Sequence, residues 1–170
     1  MNVPLWVAAP VIVLTALATG ADLRTRKVPN LLTGPALLLG IGAHLALGGT
    51  SGALGALAGA VVAGLLLLPG WLSGWMGAGD VKLMAAVGAW LGFPLGVYAA
   101  LAALVAGGVI ALVVAARHGV LVQSLRGAFL LIPGAPGGSA RTGPPSHAGL
   151  RFPFALAILA GSLFALWRAR

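Results

Sequence analysis

The chain has 170 residues, of which 60% are hydrophobic and 7% charged, and its mean hydropathy is +1.07. That balance excludes an ordinary soluble domain and points to a polytopic membrane protein, with a length that suits one domain over residues 1–170. The net charge of +8 comes from ten Lys and Arg against two acidic residues. The basic residues flank apolar runs, so they read as orientation signals and not as a nucleic-acid surface. Without cysteine there is no disulfide and no cysteine-bound zinc, and His44, His118 and His147 show no metal-site spacing.

The run from about Pro4 to Ala21 predicts a first span, a membrane helix and not a cleaved signal. It ends at Asp22, and Arg24, Arg26 and Lys27 follow as a basic cluster that marks the cytoplasmic side. Pro29-Asn30 restarts the chain, since proline is tolerated in a first helical turn. A second span is expected from roughly Leu31 to Leu47, then a short uncharged turn over Gly48 to Gly52, then a third span from roughly Ala53 to Trp71. Gly55, Gly59 and Gly64 suit close helix packing in lipid. Leu72 to Asp80 reads as an interfacial loop, with Trp71 and Trp75 as interface anchors. The next apolar piece, Val81 to Gly92, is short, because a crossing helix needs about 20 residues. It must tilt, extend past Pro94, or begin inside the bilayer. A fifth span follows from Leu95 to Ala116, then an interfacial or re-entrant helix over Gly119 to Ile132. Pro133 to Arg151 reads as a loop, and the last span runs from Phe152 to Trp167. The expected fold is an all-α bundle of six membrane spans with both termini outside. That topology puts most basic loops inside and brings Asp22 and Asp80 to one cytoplasmic face.

Those two aspartates are the whole acidic complement of the chain. Each borders a long apolar run, where a carboxylate is costly and points to function. Two carboxylates sharing a site can hydrolyse a peptide through water. The ionised one removes a proton from the water, and the protonated one donates to the scissile carbonyl. Asp80 would open a helix and Asp22 would close one, which favours Asp80 as base and Asp22 as acid; Arg24, Arg26 and Lys27 act in the opposite direction. Gly77 and Gly79 would let the backbone approach a substrate strand. The plain alternative for each aspartate is a counter-ion, Arg24 or Arg26 for Asp22 and Lys82 for Asp80. Lys82 would otherwise extend towards lipid head groups, and Pro29 and Asn30 would serve as helix-start residues. A small transporter or proton conductor is the alternative function, and a non-catalytic membrane scaffold a third.

Gly77-Ala78-Gly79-Asp80, followed by Val81-Lys82-Leu83, resembles the GxGD motif of the type IV prepilin peptidases, often extended to GxGDxKL. Asp22 with its basic run and Val28-Pro29-Asn30 resembles the first aspartate block of that family. Phe152-Pro153-Phe154 is similar to the segment that opens its last span. The resemblance implies a six-span GxGD aspartic endopeptidase of the inner membrane, with its active site facing the cytoplasm. It implies Asp22 and Asp80 as the catalytic pair, Gly77 and Gly79 as site-framing residues, and Lys82, Pro29 and Asn30 as supporting ones. No cofactor and no metal are implied. The substrates would be prepilins or pseudopilins in the bilayer, probed by a form similar to those of Flp-type (tight adherence) pili. That short form carries only the peptidase, without the N-terminal methyltransferase domain.

Overall fold

A computed structural model describes residues 3–117 and 154–169, and the described residues are helical without a strand. The helices are α1 (Leu5–Thr25), α2 (Asn30–Leu72), α3 (Ala78–Leu91), α4 (Leu95–Arg117) and α5 (Phe154–Arg168). The expected re-entrant helix over 119–132 and loop over 133–151 lie outside the described residues. Residues up to Gly107 pack with α5 as one unit, and α4 continues as a helix beyond it.

The 43 residues of α2 are the expected pair of spans, run together and broken inside the expected turn over residues 48–52. A straight helix of that length would rise about 65 Å, roughly twice the hydrocarbon core of a bilayer. It is broken by a single residue: Gly49 sits at φ 61°, ψ −155°, a conformation open essentially to glycine alone. The break turns α2 into two arms, both of which meet the same end of α3. On the first arm, a Cβ added to Gly40 would lie 3.1 Å from the Trp90 ring and 3.2 Å from the Ala89 side chain. Trp90 Nε1 donates to the Ala36 carbonyl at 2.9 Å. On the second arm, a Cβ on Gly59 would run into the Gly88 carbonyl and approach the Gly92 carbonyl carbon to 2.7 Å. Gly64 lies against Ala85 on the same arm, and the Phe93 N–H donates to the Gly55 carbonyl at 3.0 Å. The glycines of the third expected span are therefore a packing face, since small residues let backbones meet where no hydrophobic drive exists.

α1 and α5 close the other side of α3. Val11, Leu14 and Ala18 of α1 share a buried core with Leu83 and Val87 of α3 and Ile158 of α5. At the far end, the Arg168 guanidinium lies 4.8 Å from the Tyr98 ring centroid. His44 is a packed residue as expected: its Nδ1 lies 2.9 Å from the Gly40 carbonyl, and its ring meets the Trp6 edge. Outward faces carry exposed Leu38, Leu39, Leu65, Val105 and Leu163, which only lipid would cover without cost. Three helices are long and apolar enough to cross a membrane, Leu5–Thr25, Asn30–Leu72 and Leu95–Val114. The chain is an integral membrane protein.

Replacing Gly59 by Val should lower the melting temperature of the detergent-solubilised chain, with a destabilisation of about 1–3 kcal/mol from forced overpacking. Gly42 has nothing within 4 Å of the position its Cβ would take, so Gly42→Ala should leave melting unchanged or slightly raised.

Candidate active site

Asp22 lies in the last turn of α1, which runs past the expected end of the first span to Thr25. Arg26 then takes a left-handed conformation, φ 53°, and its N–H closes on the Asp22 carbonyl at 2.8 Å. This ends the helix and turns the chain into Lys27-Val28, and Pro29 caps α2 at its extended backbone angles. Asp80 is in the first turn of α3, which starts at Ala78 and so shortens the expected interfacial loop. Its Oδ2 accepts from the Gly77 N–H at 3.1 Å, and its own N–H donates to the Gly77 carbonyl at 3.1 Å. This is half of a capping box: the carboxylate reaches back to the residue that precedes the helix, and glycine has no side chain to return the bond.

The two glycines of the motif do different things. A Cβ on Gly77 would stand 3.5 Å from Asp80 Oδ2, beside the carboxylate it serves. A Cβ on Gly79 would meet the Val28 side chain at 3.1 Å and the Val28 carbonyl at 3.3 Å. Both line the cavity, and the space left by Gly79 is occupied by Val28. That close approach draws the α1–α2 link, and with it Asp22, against the start of α3.

The cavity between them measures about 460 Å³. Asp22 and Asp80 share it with Arg26, Lys27, Asn30, Lys82, Trp75, Gly77 and Gly79. The carboxylates are only 8% and 7% exposed. Asp22 Oδ2 and Asp80 Oδ1 are buried without a hydrogen-bond partner. Among the described residues neither aspartate forms an ion pair, and Arg26 acts on Asp22 through its charge without bonding it. Lys82 does not extend towards head groups: its Nζ donates to Asn30 Oδ1 at 3.0 Å. That contact gives Asn30 a second task beyond starting α2 and ties α2 to α3 at the cavity edge.

Asp80 precedes the apolar run of α3 and lies outside the three membrane-length helices. Burial pushes its carboxyl up from 3.8 to about 6, against the pull of the Gly77 N–H; the nearby charge of Asp22 adds to the rise. The helix N-terminus does not overcome desolvation, so own-helix position does not assign the base.

Sequence reading missed Thr19 and Ala155. Thr15, Thr19 and Asp22 recur at helical spacing on one buried face of α1, a polar stripe that was open to view. The partner was not: the Thr19 hydroxyl lies 3.2 Å from the Ala155 carbonyl, and the Ala155 backbone amide faces Asp22.

The chain is thus a helical membrane protein whose only two acidic side chains line one cavity. Residues 9–112, which include both aspartates, match the type IV leader peptidase family, and the chain belongs to that family. No curated protein and no solved structure matches the chain.

Gly79→Val should force Val28 outward and separate the two aspartates. On the function proposed below, peptidase activity is expected to fall at least about tenfold. Helix content by circular dichroism should be retained.

Proposed function

We propose that this leader peptidase is an aspartic endopeptidase of the GxGD type, with Asp22 and Asp80 as its catalytic pair. The observation that carries the reading is the pair of buried, partnerless oxygens, Asp22 Oδ2 and Asp80 Oδ1, lining one cavity. A water between them would lose a proton to the ionised carboxylate as it attacks the scissile carbonyl. The other carboxyl would donate its proton to the carbonyl oxygen, giving a gem-diol. When the diol collapses, the C–N bond breaks, the leaving amine takes a proton from the pair, and a new carboxyl group remains. Carboxylates that share a cavity and feel each other's charge titrate as a pair, and acid and base are roles of the pair.

The two arms of α2 raise the helical pieces to six, in line with six spans. α3 rises only about 21 Å over its 14 residues, against a hydrocarbon core of about 30 Å. Asp80, in the first turn of α3, would sit at the membrane edge, ahead of the apolar run. Asp22 is followed by Arg24, Arg26 and Lys27, which supports a cytoplasmic face of the inner membrane for the site. Substrates would be prepilins or pseudopilins cut just before an apolar helix of their own; the Flp-type specificity rests on the sequence resemblance. Gly77, Gly79, Lys82, Pro29 and Asn30 would frame and brace the pair.

The direct test is co-expression with a candidate prepilin and a gel-shift readout of leader removal. Asp22→Ala and Asp80→Ala should each abolish cleavage with insertion intact, and the double variant should be no worse than either single one. Retained cleavage in either single variant would remove that aspartate from the mechanism. The rate should also fall as pH rises through about 6, where the Asp80 carboxyl loses the proton that the singly protonated pair requires. A fall centred at the ordinary carboxyl value of 3.8 would contradict the buried pair.

A further inference from the structure

Thr19 stands one turn before Asp22 on the buried face of α1 and is 6% exposed. Its hydroxyl oxygen lies 2.7 Å from the Thr15 carbonyl and 3.2 Å from the Ala155 carbonyl. One hydroxyl proton is thus shared between its own helix and α5. The bond to the carbonyl four residues back already satisfies a buried threonine, as Thr15 does with Val11 at 2.7 Å and Ser162 with Ile158 at 2.7 Å. Reaching the second helix is an addition, and it falls on the first turn of α5, whose amides have no partner within their own helix. The Ala155 amide faces the Asp22 carboxylate, and a helix N-terminus attracts an anion. Among the described residues Asp22 has no ion pair, and such amides are suited to hold it. The segment that provides them lies beyond residues 9–112, the part that matches the family.

We propose that Thr19 is a positioning residue. Its hydroxyl clasps the first turn of α5 at Ala155, so that the Ala155 N–H fixes the Asp22 carboxylate and leaves Oδ2 open to the cavity. The helix outside the matched region thereby completes the active site. The proposal rests on the aspartate-pair reading above. A purely structural clasp would alter stability and leave turnover alone, whereas a positioning clasp sets turnover.

The experiment uses the purified full chain in detergent, with a membrane-embedded prepilin as substrate. It reads kcat, KM and melting temperature for the wild type, Thr19→Val and Thr19→Ser. Valine keeps the shape and removes the donor; serine keeps the donor. Thr19→Val should lower kcat by about tenfold or more with KM little changed, as misplacement of one catalytic group does. Thr19→Ser should recover most of that loss at a similar melting temperature. Wild-type kcat in Thr19→Val, or a kcat in Thr19→Ser as low as in Thr19→Val, overturns the proposal. If Thr19→Val does not accumulate, Thr19→Ala takes its place in the same comparison and is held to the same outcomes. A wild-type chain that cleaves no prepilin overturns the peptidase reading and this inference together. An active wild type with an unaffected Thr19→Val overturns the inference alone.

Discussion

The protein is built around two carboxylates buried in an apolar bundle, and among the described residues no cation is bonded to them. An isolated buried charge is among the most costly things a fold can contain, and such groups normally neutralise or pair. Here the backbone takes the role of the counter-ion. The Gly77 N–H bonds one oxygen of Asp80, and the Ala155 amide is turned towards Asp22. The compensation is partial: one oxygen of each carboxylate stays buried and unsatisfied. Burial raises the Asp80 carboxyl, and each unsatisfied oxygen leaves an acceptor at the cavity for a donor such as water.

Holding the two groups together requires backbones to come unusually close, which explains how glycine is distributed. Gly59 against Gly88 and Gly92, and Gly40 against Ala89 and Trp90, bring both arms of α2 onto α3. Gly79 against Val28 then docks the link between α1 and α2 on the start of α3. A lipid environment supplies little hydrophobic force between helices, so surface complementarity has to do that work. The contact between Lys82 and Asn30 adds a polar tie at the same edge. Lys82 therefore serves the frame of the cavity.

Position within a helix is a poor guide to which aspartate is acid and which is base. Asp80 opens α3, a favourable place for an anion, yet burial outweighs it and its carboxyl rises to about 6. Asp22 closes α1, an unfavourable place, yet the first turn of a different helix faces it. Each group feels the whole bundle, and the two also feel each other, which makes the pair the chemical unit.

Composition alone established a helical membrane chain, because nothing else buries so apolar a sequence, and it singled out Asp22 and Asp80, because no other carboxylates exist. Motif spacing led to the family, and the loops at Pro29 and at Phe93-Pro94 fell where proline demands them. Three features were decided only in three dimensions. One was which residue breaks α2: the turn over residues 48–52 was legible, but its glycines look alike until the dihedrals set Gly49 apart. The second was the partner of Lys82, because a flexible side chain two residues from Asp80 can choose a group 52 residues away in sequence. The third was the approach of α5 to Asp22: a bond between residues 136 apart leaves no periodic trace, and alanine contributes through its backbone, which the sequence does not distinguish from any other.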